Sequence, residues 1–382
     1  MIYADNSSTT KISELALAEM LPFLQENYGN ASSQYSHGVK SRRAVEKSRQ
    51  QTAEAIGAKP SEIIFTSGGS EGNSWILQGV SALYGKEPVH IITTSIEHHS
   101  VINTCRELEN RDVSVTYLPV DSDGYVSVDS VVSVIRPETK FVSIMLANNE
   151  IGTIQPIAAM GELLRNKGIL FHTDAVQAVG HIPVSVENLN VDFLTASAHK
   201  FYGAKGTGFV YIREGVELPK SIFGGDQEHG RRAGTENVAG IVALGAALNE
   251  SVAYMTREQE RLTFLVQATI ESVKAKIPHI HFNAENAERL PGLLNLTFPG
   301  VSGESMMHLL DLKGICVSTS SACNAGKDEA SHVLLALGRS EKDAKSSIRV
   351  SYGRYNTERE VGCIVGAMVD AFVKITGIKG ES

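Results

Sequence analysis

Lys200 lies in the stretch VDFLTASAHKFYGAKGTGFVYIR (191–213), where two apolar strand-like runs flank a polar centre holding Ser197, His199 and Lys200. Burying an ammonium between strands is costly unless it is paired or neutralised, so this lysine has two readings. It is a surface residue in a hairpin loop, or it becomes a neutral amine able to form a Schiff base with a carbonyl group. Asp174, at the end of ILFHTD, either caps the turn that follows or holds a protonated ring nitrogen. The loop SGGSEGN (67–73) follows a strand and opens a helix. Its backbone N–H groups, the helix N-terminus and the Ser70 hydroxyl suit an anion, although a plain strand-to-helix turn capped by Ser70 has the same residues. It is neither a Walker loop nor a dinucleotide fingerprint. Arg349 sits among apolar residues in SSIRVSY and needs a partner. That partner is an internal carboxylate or an incoming one, which the guanidinium fork matches bidentately. Cys323 lies in STSSACNAGKDEASH (318–332), a small, polar setting that fits an accessible nucleophilic thiol. Cys105 and Cys363, in helical patterns, and Cys316, in the apolar run GICVS, read as buried and inert.

The elements that must position these groups follow a clear alternation. Strand-like runs fall at EIIFT (62–66), HIITT (90–94), VSVTYL (113–118), KFVSIML (140–146), ILFHTD (169–174), VDFLTAS (191–197) and GFVYI (208–212). Helical stretches lie between them, notably Gly72–Tyr84, Ser100–Glu109, Asp129–Ile135 and Ile157–Asn166. Near-continuous apolar strands alternating with helices indicate an α/β domain with a mostly parallel sheet covered on both sides. Ligands bind at the carboxyl ends of such strands, and five of these ends run into polar or ionisable residues. They are Ser67–Asn73, Glu97-His98-His99, Asn148-Asn149-Glu150, Asp174–Gln177 and the Lys200 cluster. Upstream, helices are expected over Ser13–Glu26 and Val39–Ile56, with a polar loop between them. Downstream, the Gly-rich loop GGDQEHGRRAGTEN (224–237) leads into a helical stretch from Val238 to Met255 and a charged one from Arg257 to Lys276. The predicted domains are therefore 1–256 and 257–382, the second a smaller α+β unit, with residues 1–15 as candidates to pack against it.

Composition narrows the function classes. The chain has 382 residues, 42% hydrophobic and 20% charged, an ordinary globular balance with core enough for two domains. A net charge of −8 argues against nucleic acid and anionic membranes as partners, and no apolar run reaches a membrane span. The opening MIYADNSSTT lacks the apolar core of a signal peptide. Four cysteines without CxxC or Cys/His zinc spacing argue against a disulfide framework or a structural metal, and the expected compartment is a reducing cytoplasm.

Phosphate loop, carboxylate and lysine in this order, with SGGSEGN, EHHSV, ANNEIGTIQPI, HTDAVQAVG, SAHKFYGAKGTG, RRAGTEN and SSAC, resemble the cysteine desulfurases, NifS/IscS-like enzymes of the class V aminotransferase family. The resemblance covers essentially the whole chain. It implies the pyridoxal 5'-phosphate (PLP) fold type I, with a mostly parallel seven-stranded sheet in the large domain. It also implies desulfuration of L-cysteine to L-alanine with a persulfide left on Cys323. By the same resemblance Lys200 would anchor PLP, Asp174 pair with its ring nitrogen, Gln177 with its hydroxyl, and His98 stack on the ring. Gly69, Ser70, Ser197 and His199 would hold the phosphate, and Thr235 would join from the second subunit of a homodimer. Asn149 would lie by ring and substrate, and Arg349 would bind the substrate carboxylate. The partner would be a sulfur acceptor such as an iron–sulfur scaffold. The chain departs from the usual pattern at Ser7-Ser8, Ser70, Ala198, Asp226 and the residues after Cys323, none of which removes a reactive group. A selenocysteine lyase or transaminase on the same fold, and a non-catalytic scaffold, are the competing readings. Cys323 favours desulfuration over the enzymes, and intact Lys200, Asp174 and His98 argue against the scaffold.

Overall fold

The computed structural model describes residues 1–85, 87–319 and 329–377. Its strands are β1 (Ile2–Tyr3), β2 (Ile63–Thr66), β3 (His90–Thr94), β4 (Ser114–Leu118), β5 (Thr139–Ser143), β6 (Leu170–Asp174), β7 (Phe193–Ser197), β8 (Gly208–Ile212), β9 (His281–Phe282), β10 (Leu293–Thr297), β11 (Ile315–Cys316), β12 (Ser318–Thr319) and β13 (Ser347–Ser351). The seven expected runs form one sheet in the order β2-β8-β7-β6-β5-β3-β4. The pairs from β4 to β7 are parallel, whereas β8 runs antiparallel to both β7 and β2. The reason lies in the connection. Residues 198–207 are too few for the crossover of roughly a dozen residues that a parallel return requires, so β7 and β8 close as a hairpin around Lys200.

Alternate residues of each strand feed two cores, which is why the strands read as unbroken apolar runs. Ile63, Phe65, Leu194, Phe209 and Tyr211 face one core, covered by the helices Ser36–Ile56, Ile157–Asn166 and the first half of Val238–Lys274. Ile64, Phe141, Phe193, Val210 and Ile212 face the other, beneath the helices Gly69–Leu83 and His99–Glu109. A separate cluster joins Leu294, Leu296, Ile348 and Val350 to the helices Gly303–Asp311 and Glu358–Thr376 and to Leu262, Leu265 and Val273 of the long helix. β1 joins this cluster's side through a parallel pair with β11.

Several element boundaries differ from the sequence reading. Val238–Lys274 is one helix rather than two, since no Gly or Pro interrupts it near Met255, and the expected domain boundary at 256/257 falls inside it. The Ser13–Glu26 stretch breaks at Leu21 into Glu14–Met20 and Pro22–Gln25, because Pro22 lacks the N–H that would continue the first helix. GICVSTS divides into β11 and β12, which join different sheets. Cys363 is exposed rather than buried, since the inward face of Glu358–Thr376 is set by Val361, Ile364, Val365 and Met368. Cys316 is only partly buried. Cys105 is fully buried, and burial pushes its thiol up to about 12. Among the described residues, only Val238–Lys274 is long and apolar enough to cross a membrane, and 61% of its most apolar window is buried inside the protein.

Candidate active site

The carboxyl ends of β2, β3, β5, β6 and β7 surround a cavity of about 350 Å³. Every site residue expected from the sequence within the described part lines it except Thr235: Gly69, Ser70, His98, Asn149, Asp174, Gln177, Ser197, His199, Lys200 and Arg349. Thr235 is exposed on the Gly-rich loop, and Cys323 lies outside the described residues.

Lys200 occupies the short 3-10 turn Ala198–Lys200 that continues β7. Its ammonium donates to the backbone carbonyl oxygens of Ser7 and Ser8, the latter at 2.9 Å. Gln177 Nε2 donates to the same Ser7 oxygen at 2.9 Å, so the N-terminal segment closes one wall. His181 Nε2 pairs with the Lys200 carbonyl at 2.9 Å and fixes the backbone beneath the amine.

Asp174 is 4% exposed at the tip of β6. Asn73 Nδ2 donates to its Oδ2 at 2.6 Å and Val176 N to its Oδ1 at 3.0 Å. Asn73 Nδ2 also donates to Ser100 Oγ at 2.9 Å. Ser100 Oγ lies 2.8 Å from His98 Nδ1, which further accepts from Ser100 N. With Nδ1 committed as acceptor, a neutral His98 carries its proton on Nε2. Burial holds His98 below its usual range, with Lys200 and His99 acting in the same direction and Asp174 against them. Spacing alone does not separate His98 from His99, but the structure does: His98 lines the main cavity, while His99 turns to the ring of His332 at 4.7 Å.

The loop before the helix Gly69–Leu83 leaves that helix's N-terminus without a side-chain cap. Gly68, at φ 149°, is the N-cap of the helix Gly69–Leu83 and supplies no side-chain cap, so the first-turn N–H groups and the helix dipole face the cavity. A Cβ on Gly208 would lie 2.7 Å from Gly68 Cα, so this loop rests directly on the hairpin strand. His199 completes the rim, pushed down to about 4 by burial, then by Lys200 and Lys205.

Arg349 has the internal partner its burial requires. Its Nη2 donates to Asp5 Oδ1 at 2.8 Å and Ser8 Oγ at 2.7 Å, and its Nη1 to the carbonyl of Asn149 at 2.8 Å. Its Nε is buried without a hydrogen-bond partner among the described residues, while the residue lines the cavity. Sequence reasoning assigned no role to Asn73, Ser100, Met145, Val176 or Asp5. The first two lay inside motifs already singled out, but their hydrogen bonds connect different strand ends and have no spacing signature.

A sheet with this order and a lysine, carboxylate and anion loop at its carboxyl edge defines a class, and a profile of the aminotransferase class-V family matches residues 2–363. The chain belongs to that family, whose members are PLP-dependent. Within it the chain falls among the cysteine desulfurases: it is 46% identical over 366 residues to the cysteine desulfurase IscS of Clostridium botulinum, covering 95% of this chain and 92% of that protein. A solved NifS-like protein superposes with a TM-score of 0.91 at 38% identity, covering 96% of this chain and 98% of that one. The structure of SspA in complex with cysteine superposes with a TM-score of 0.83 at 34% identity, covering 94% and 100%.

Proposed function

We propose that this chain is a PLP-dependent cysteine desulfurase that converts L-cysteine to L-alanine and takes the sulfur on Cys323. The observation that carries the reading is the convergence of Lys200, Asp174, His98 and Arg349 on one cavity beside an uncapped helix N-terminus. The residues fit the cofactor. The N–H groups after Gly68, with Ser70, Ser197 and His199, suit its phosphate; Asp174 suits its ring nitrogen, Gln177 its hydroxyl, and Lys200 its aldehyde. When bound, PLP supplies an electron sink that acidifies the substrate Cα–H and weakens the Cβ–S bond.

The chain's own groups do the rest. Arg349, which lines the cavity, holds the substrate carboxylate through its guanidinium fork, with Asn149 beside it. Lys200 Nζ, poised by the Ser7 and Ser8 carbonyls, takes the Cα proton as general base. His98, neutral with Nε2–H, lines the cavity, would lie against the bound cofactor, and supplies a proton on the cavity side. The Cys323 thiolate attacks the substrate sulfur as the Cβ–S bond breaks, and the electron pair of that bond passes to the substrate carbon skeleton. Protonation at Cβ gives the methyl group of alanine, and Cys323 is left as a persulfide. Thr235 joins the site of a second copy in a homodimer, and an acceptor protein, such as an iron–sulfur scaffold, then removes the sulfur in the cytoplasm. Residues 1–256 hold the cofactor, and 257–382 bring Arg349 and Cys323 to it.

The test is to load purified protein with PLP and supply L-cysteine labelled in sulfur. Alanine release with label on the Cys323 peptide is expected, and Cys323→Ala should keep the cofactor absorption but stop alanine release. Full turnover by Cys323→Ala would sink the assignment.

A further inference from the structure

Glu97 is wholly buried next to His98, and the reaction as derived makes no use of it. We propose that Glu97 is a positioning residue for His98: its carboxyl stands in for a missing rung between β3 and β5, and so fixes the loop from which His98 meets the cavity. The effect on turnover rests on the desulfurase reading.

The sheet opens at this point. β3 and β5 pair in register from His90 with Thr139 to Ile92 with Val142. Beyond β5 the chain stays bonded to the β6 side, where Ile144 N and Leu146 N donate to the carbonyls of His172 and Asp174 at 3.1 and 2.9 Å. Met145 N, between them, faces the β3 side, but β3 has already ended at Thr94. Met145 is 2% exposed, and a buried N–H without an acceptor is costly. Glu97 Oε1 supplies the acceptor at 3.0 Å, and Thr94 Oγ1 donates to the same oxygen at 2.8 Å. Asn148 Nδ2 adds a second tie, donating to Ile96 O at 2.9 Å. The residues just before His98 are thereby bound to the segment that leads to Asn149, and Met145, His98 and Asn149 all line the cavity.

This anchorage needs an acceptor and not a charge. Glu97 Oε2 is buried without a hydrogen-bond partner among the described residues. Burial pushes the carboxyl up to about 8, against the bonds from Met145 and Thr94 and with Asp174 adding to the rise. At neutral pH the group is a neutral acid with its proton on Oε2, and glutamine reproduces that shape with a carbonyl oxygen at Oε1. The other titratable groups near the loop are Asp174, Lys200, His99, His332 and Cys105. The first three act on His98 directly, but burial is the largest influence holding it down. His332 Nε2 pairs with the Glu97 carbonyl at 2.9 Å, and Cys105 is held protonated by burial. The state of the His98 ring therefore reports where its loop lies.

NMR titration of the PLP-loaded enzyme, with signals assigned against His98→Gln, reads that ring without reference to turnover. Glu97→Ala should admit water and raise the pH at which His98 titrates. It should also lower kcat for alanine release about tenfold or more, with KM for cysteine unchanged because Arg349 is not disturbed. Glu97→Gln should match the wild type in both measurements. A Gln variant as slow as the Ala variant would show that the carboxyl acts as an acid or a charge, and an unmoved His98 titration in Glu97→Ala would show that the loop is placed by other contacts; either overturns the proposal. If Glu97→Ala does not fold, Thr94→Val removes one of the two donors to Oε1 and should shift the His98 titration in the same direction, and no shift rejects the anchor. A chain whose His98 responds as expected yet releases no alanine in the wild type defeats only the desulfurase reading.

Discussion

At Arg349 the guanidinium is shared among Asp5, Ser8 and the Asn149 carbonyl, while Nε stays without a partner among the described residues. A lysine at this position keeps the charge but loses the planar fork and its fixed donor directions. Arg349→Lys should raise KM for cysteine at least tenfold while PLP still binds, as steady-state kinetics and the cofactor absorption will report; an unchanged KM would remove Arg349 from substrate binding. The sequence marked this arginine as needing a partner, yet it left an internal carboxylate and a substrate as alternatives. The structure shows the internal partner, Asp5, which takes only Nη2, a division visible only in three dimensions.

Among the elements, the β7–β8 hairpin and the loop before Gly69–Leu83 are fitted to each other through Gly208 and Gly68. A Cβ at position 208 would meet Ala196 O at 2.5 Å and Gly68 Cα at 2.7 Å, both backbone atoms that cannot swing aside. Gly208→Ala should displace the anion loop and weaken PLP binding about tenfold, measured by absorbance titration; unaltered affinity would show that the loop does not hold the cofactor. The Gly-rich loop is held by another device. Arg49 Nη1 and Nη2 reach Glu228 Oε2 and Oε1 at 2.8 and 2.9 Å, with side chains 3% and 4% exposed, and Phe65 N donates to the same carboxylate at 2.8 Å. Glu228→Gln leaves the buried guanidinium with only the half-exposed Glu46, 3.2 Å from its Nε, as counter-charge, and should cost about 3 kcal/mol in urea unfolding. A loss near zero would mean that the loop is anchored elsewhere.

For the whole molecule, buried titratable groups set the pH range of stability. Burial raises Glu97 to about 8 and Glu150 to about 7, so each contributes stability that is fully present below about pH 4.5 and lost as pH rises through those values. Burial depresses His172 to about 3 and His90 to about 4, so their contribution is present above about pH 6.5 and lost as pH falls through 4 and 3. Melting temperature should therefore decline by a few °C between pH 6 and 9, and Glu97→Gln should flatten that limb. Identical slopes in calorimetry would contradict it. Assembly is tested by co-expressing Lys200→Ala with Thr235→Val. If Thr235 acts across a dimer, mixed dimers contain one intact site and regain activity that neither variant has alone; no recovery would place Thr235 in its own subunit's site or outside any site.

What the sequence determined by itself was the alternation of two-faced apolar strands with helices, and the polar residues at five strand ends. Both are local consequences of period and composition, and they were sufficient to bring forward Lys200, Asp174, the His98-His99 pair and the anion loop as candidates. Tertiary structure alone decided what depends on groups far apart in the chain. Ser7 and Ser8 hold a lysine almost two hundred residues away, Asp5 meets Arg349, and Asn73 ties Asp174 to Ser100 and so to His98. Each of these contacts joins segments far apart in the chain, which no window of neighbouring residues records.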